Sequence, residues 1–163
     1  MITYSIKEFI KLIPNSGALL GLDYGCKHIG IAISDANQRV AMPLYSLTHL
    51  SRKSQLKDIK TIVNKYKATG IVLGLPLMLD GTKGNLVKIV EAFASSLSYF
   101  RKCMTILLYD ERFSSKSADR LLETMQTKKN NNELQHTLAA QILLSEVIES
   151  IRMQRKIDMK KGL

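Results

Sequence analysis

Apolar positions in the first third of the chain follow strand periods. Residues 18–24, ALLGLDY, are almost continuously apolar and read as a central strand buried on both faces. Residues 29–34 alternate. Ile29, Ile31 and Ile33 face one way, and Gly30, Ala32 and Ser34 face the other, so the second face is unusually small. Residues 40–48 form a third strand, where Pro43 predicts an edge position or a bulge. Short turns separate the three, a Gly-containing one over residues 24–28 and Asp35–Ala36–Asn37. The pattern predicts an antiparallel meander.

The period then changes to that of helices. Leu56, Ile59, Ile62, Val63 and Tyr66 predict a helix over residues 52–67, and Leu86, Ile89, Val90, Phe93 and Leu97 predict a second. Between them GIVLGLP is too short for a helix and reads as a strand, as does MTILLY at 104–109. Ala118, Leu121, Leu122 and Met125 mark a further helix that Ser114 would cap. Residues 133–152 form the last long helix. The order is βββαβαβαα, an α/β arrangement with five strands. The two later strands, reached through helices, are expected parallel to the first. A short helix with Ile6, Phe9, Ile10 and Ile13 on one face, ended by Pro14, occupies residues 1–17, read as an N-terminal extension. Residues 18–152 are read as the domain, and 153–163 as a basic tail expected to fray.

Composition narrows the partners. The chain has 163 residues, 24 Lys and Arg against 14 Asp and Glu, a net charge of +10 and a pI of about 9.7. This excess favours a polyanion, most simply nucleic acid. Cys26 and Cys103 have no CxxC spacing and read as reduced thiols in a cytoplasmic protein, which argues against structural zinc. No apolar run reaches the ~20 residues that a membrane span needs, and Lys7, Glu8 and Lys11 interrupt any signal-peptide core.

Against this basic background, acids recur where strands end. Asp23 ends the first strand, and Asp110 and Glu111 follow MTILLY. In open α/β sheets, ligands bind beyond the carboxyl ends of strands. Carboxylates gathered there repel phosphate unless a divalent cation intervenes, so Mg²⁺ or Mn²⁺ accounts for both acids and base. Lys83 and Asn85, after the Asp-Gly turn of GLPLMLDGTKG, are candidate phosphate contacts, as is Lys27 in the turn after Asp23. Arg52, Lys53, Lys57, Lys60, Lys65 and Lys67 crowd one helix, as a solvated face or a backbone-binding patch.

GLDYGCKHIGIAISD, IVLGLPLMLDGTKG, YDERFSSKSA and LAAQILLSEVI, in that order over residues 18–150, resemble the YqgF family, also called RuvX. The resemblance implies an RNase H-like fold, a mixed five-stranded sheet with helices on both faces. It implies a metal-dependent nuclease related to Holliday junction resolvases and ascribed to pre-16S ribosomal RNA, in a bacterial cytoplasm. Asp23 matches the family's first acid and Glu111 its second, with Asp110 beside it and Arg112 as a phosphate contact.

Two positions depart from the family pattern. His28 stands where relatives usually carry Arg or Ser, and His136, in HTLAA, stands where they usually carry an aspartate. His136 falls in the first turn of the last helix, which Asn132 would cap with Gln135 as a capping box. Its face continues through Ala140, Leu143 and Val147, toward the sheet. Glu133, three residues earlier on nearly the same face, is the other candidate for the missing carboxylate. Imidazole is a softer ligand than carboxylate, so a site completed by His136 favours Mn²⁺. Three readings follow. The first is a metal-dependent endonuclease with Asp23, Glu111 and His136 catalytic and Asp110 and Glu133 as further ligands. The second is a non-catalytic nucleic-acid-binding protein of the same fold. The third is an actin-like nucleotide enzyme, suggested by LDYGCKHIG, for whose two-domain cleft this chain is short.

Overall fold

The computed structural model describes residues 1–25, 27–48, 51–77, 84–100, 104–110 and 132–162. Its strands are β1 (Ile2–Thr3), β2 (Leu19–Tyr24), β3 (His28–Ser34), β4 (Ala41–Thr48), β5 (Gly70–Leu75) and β6 (Thr105–Asp110). Its helices are α1 (Ile6–Leu12), α2 (Arg52–Tyr66), α3 (Asn85–Phe100) and α4 (Asn132–Lys161). The strands form a mixed sheet in the order β1-β6-β5-β2-β3-β4. β2, β3 and β4 are the antiparallel meander, and β5 and β6 extend it parallel to β2. The expected α/β class, with helices on both faces, is therefore present.

The sheet departs from the expected five strands. The sixth is β1, from the segment read as an extension. Ile2 and Thr3 pair parallel with Ile106 and Leu107, and the Met1 ammonium donates to the Met104 carbonyl at 2.8 Å. Phe9 and Ile13 are buried against Leu19, Leu107 and α4. The segment thus completes the sheet and core. Two residues are too few to show a strand period, which is why the pattern alone misses β1.

Pro43 has both expected consequences. β4 lies at the edge, and its register with β3 shifts between Ile31, opposite Tyr45, and Ala32, opposite Pro43. Ser51 caps α2 by accepting from the Ser54 amide, and Lys67 ends it in a left-handed conformation, φ 50°.

Two apolar layers sandwich the sheet. Ile29, Ile31, Ile33, Ile71, Leu73, Ile106 and Leu108 pack with α2 and α3. Leu19, Ala32, Val72 and Leu107 pack with α1 and α4. The small face of β3 lies under α4. A Cβ on Gly30 would overlap the carbonyl of His136, and one on Gly21 would come within 2.9 Å of the Ala140 carbonyl oxygen and of Leu144 Cβ. These glycines let the first turns of α4 settle onto the sheet backbone.

α4 also departs from its expected end, running through residues 153–161 to Lys161. Arg155 donates to Gln38 at 2.9 Å and Gln154 to Asp158 at 2.9 Å, so part of the basic tail is tied down. The helix expected over 118–125, its Ser114 cap and the Asn132 side chain lie outside the described residues.

Candidate active site

β2 carries Asp23 to the carboxyl end of the sheet. Leu22 is the last β2 residue paired with β5, while Asp23 lies opposite Gly30 on the β3 side. Leu20 and Leu22 belong to the α2–α3 layer, so Asp23, an odd position, shares the α4 face with Leu19 and Gly21. There it meets His136, in the first turns of α4. His136 Nδ1 and Asp23 Oδ2 are 2.6 Å apart. An ionised carboxylate only accepts, so Nδ1 carries the proton, and a neutral ring then bears its lone pair on Nε2. The Asp23 side chain is 17% exposed and that of His136 32%, so the pair lies at the rim of the core.

The imidazole is held on two further sides. A Cβ on Gly25 would lie 2.7 Å from its Cε1. The His28 ring stacks against it with centroids 5.8 Å apart and planes at 27°. His28 Nδ1 lies 3.0 Å from Thr48 Oγ1, which donates to Glu133 Oε1 at 3.3 Å. Because that hydroxyl gives its hydrogen to Glu133, it accepts from His28. A polar chain therefore runs from Glu133 through Thr48 to the ring behind His136.

The structure thus brings Asp23 and His136 together, and it turns Glu133 toward β4. Ala140, Leu143 and Val147, on the His136 face of α4, are buried as that face requires. Asp110 ends β6, and the strand's alternation assigns it to the face of Ile106 and Leu108, opposite that of Asp23. Lys27 is exposed in the turn after Asp23, and Asn85 is exposed at the start of α3. Glu111, Arg112 and Lys83 lie outside the described residues.

His28 and Thr48 were not singled out for this site from the sequence. Their signal lay in pairing, since the meander places them opposite one another. A hairpin reading of residues 24–48 would have found the contact had the bulge at Pro43 been placed.

Residues 17–150 match the family described as RuvX, Holliday junction resolvase. The chain belongs to the RuvX family. It is 34% identical over 153 residues to the "Putative pre-16S rRNA nuclease" of Rickettsia peacockii (strain Rustic), covering 93% of this chain and 99% of the relative. The protein of the same name from Rickettsia bellii (strain OSU 85-389) is 36% identical over 154 residues, with 93% and 98% covered. Among solved structures, T. thermophilus RuvC in complex with Holliday junction substrate matches with a TM-score of 0.57 at 12% identity, covering 85% of this chain and 96% of that one. The yeast mitochondrial Holliday junction resolvase Ydc2 matches at 0.53 and 11%, covering 97% and 90%. These likenesses show a shared RNase H-like fold.

Whether this RuvX-family site suits a divalent cation is decided by its donors. Asp23 spends one oxygen on His136 and has a second at the rim, and His136 Nε2 is a nitrogen donor on the same face. The Asp23 oxygens fit part of a site for Mg²⁺ or Mn²⁺, whereas Nε2, across the ring from the Nδ1 that donates to Asp23, would reach the same cation only once that contact is released. Among the described residues no third His, Cys, Asp or Glu joins them in one cluster.

Proposed function

We propose that this chain is a metal-dependent endonuclease of the cytoplasm, cleaving phosphodiester bonds in structured precursor 16S ribosomal RNA, with branched DNA as the alternative substrate. The observation that carries this reading is the Asp23–His136 pair at the carboxyl end of β2. Family membership and the +10 charge support it. Asp23, Glu111 and His136 would hold the cation, which supplies charge neutralisation at the phosphate and activation of water. Glu111 is the candidate second acid because, in YDER, it matches the family's second acid. Asp110 falls on the other face and Glu133 accepts from Thr48, so both are proposed to act outside the ligand set.

The chain's own residues then have separate roles. Asp23 accepts from His136 Nδ1 and so holds the ring at the site; the two side chains would give up that contact to bind a cation together. His28 limits rotation of that ring. Lys27, Asn85, Lys83 and Arg112 contact phosphates flanking the cut.

The test is cleavage of a labelled pre-rRNA 5′ leader and of a four-way junction with Mg²⁺, with Mn²⁺ and with EDTA. Cleavage should favour Mn²⁺ and stop with EDTA. His136→Asp should raise Mg²⁺-supported cleavage, and His136→Ala should abolish cleavage while Glu133→Ala spares it. The reverse pattern in the two alanine variants transfers the ligand role to Glu133. If the wild type binds but cuts neither substrate while His136→Asp cuts, the protein is a binding member of the fold.

A further inference from the structure

A pocket of about 470 Å³ lies at the other end of α4, lined by Asn37, Gln38, Arg39, Arg152, Arg155 and Lys156 among others. Four of these residues are cationic, and no carboxylate lines it. Arg152 is paired with Glu149 at 2.7 Å. Asp35, the nearest acid along the turn, accepts from the amides of Asn37, Arg39 and Val40 at 3.2, 2.6 and 2.9 Å. The turn's carboxylate is therefore committed to its own backbone.

Gln38 makes this a built site. It is 3% exposed, with a left-handed φ of 54°. Its Nε2 donates to the carbonyls of Pro14 and Gly17 at 3.1 and 3.0 Å, which fixes the amide and aims Oε1 at Arg155. Arg155 Nη2 donates to that oxygen at 2.9 Å. Arg155 Nε is buried without a hydrogen-bond partner, and burial lowers the group's pKa from its ordinary value. A half-buried guanidinium, held in one orientation beside Arg39 and Lys156, is suited to an anion with oxygens to share.

We infer that this pocket binds a backbone phosphate of the nucleic acid and acts as a second anchor, remote from the site of cleavage. The inference rests on the nuclease reading above and deepens it. Residues 136 and 155 lie on one continuous helix, and its rise of ~1.5 Å per residue separates them by about 28 Å. At the ~3.4 Å per step of B-form DNA a duplex needs about eight base pairs to reach from one to the other, and an A-form RNA stem, with its shorter rise, needs about ten. The substrate is accordingly a stem or arm of at least that length.

The test is fluorescence anisotropy of the full chain in EDTA with labelled RNA hairpins of about 5 and about 16 base pairs. Arg39→Glu/Lys156→Glu reverses two exposed charges of the pocket. Lys7→Glu/Lys88→Glu applies the same charge change to two exposed lysines on α1 and α3, neither of which lines the pocket. The pocket variant should bind the long hairpin at least tenfold more weakly and the short one within about twofold of wild type. The magnitude of its slope of log K against log salt on the long hairpin should fall by about 1.4–1.8, two phosphate contacts' worth. The α1–α3 variant should stay within about threefold on both. An equal loss in that variant reduces the effect to net charge, and an equal loss on both hairpins removes the remoteness; either overturns the anchor. So does unchanged binding of the long hairpin, and if a labelled polyglutamate peptide then binds wild type but not the pocket variant, the pocket belongs to an acidic protein. Failure of wild type to bind either hairpin rejects the nucleic-acid reading itself, a different result from any of these.

Discussion

Asp23 and Asp35 lie at the two ends of the same hairpin, each where a strand closes, and they are put to opposite uses. Asp35 follows β3 in a tight turn whose amides point inward. Its carboxylate accepts from Asn37, Arg39 and Val40, and the Val40 amide is the main cause of its lowered pKa. Asp23 lies inside the last pairs of β2, opposite Gly30. There the neighbouring amides are directed to the strand ladder. Its carboxylate is met instead by His136, a side chain 113 residues away. A strand-end aspartate is a turn residue where the backbone offers it donors, and it becomes available to a ligand where the ladder withholds them.

This contrast is broken or sharpened by substitution at each end. Asp23→Asn should lower cleavage by on the order of 10²–10³-fold, with little change in Tm, whereas Asp35→Ala should leave cleavage by the folded protein unchanged. Equal loss in the two variants would erase the distinction between them.

The next effect is steric. Gly30→Ala places a methyl group against the His136 carbonyl, so it should destabilise by about 3 kcal/mol and displace the ring from Asp23. Urea unfolding measures the first effect. A His136 ring resonance that no longer responds to Asp23→Asn in the Gly30→Ala background would report the second.

A smaller loss, about 1 kcal/mol after allowance for solvent screening, is expected from Asp35→Ala. The pH dependence has a definite sign. A carboxylate whose folded pKa lies below its unfolded value of 3.8 stabilises the fold above that value and ceases to do so as pH falls through the folded pKa. The gap in Tm between wild type and Asp35→Ala should be full at pH 6 and close below about pH 4. A gap unchanged at pH 3 contradicts this account.

The smallest effect has the opposite sign. Glu146, on α4, has its pKa raised by burial, and its Oε2 is buried without a hydrogen-bond partner. It costs stability as pH rises through its unfolded value toward the folded one. Glu146→Gln should therefore raise Tm at pH 7, by less than about 1 kcal/mol of stability, and the gain should vanish near pH 4.

The sequence by itself determined what depends on neighbours in the chain. The periods of two and 3.6 located β2 through β6 and α1 through α4, Pro43 put β4 at the edge, and parallel β5 and β6 followed from their helical connections. The recurrence of acids at strand ends singled out Asp23, and the spacing of His136, Ala140, Leu143 and Val147 aimed the histidine at the sheet. The small face of β3 was equally plain as a pattern, but nothing local said that it admits the backbone of α4. Tertiary structure alone decided that the histidine meets Asp23, that His28 stacks on it, and that Glu133 turns to Thr48. It also decided that Ile2 and Thr3 lengthen the sheet and that Gln38 holds Arg155. Each of these is a contact between segments far apart in sequence. Such a contact has no local period, because its energy is gained only after the intervening chain has been closed into a loop.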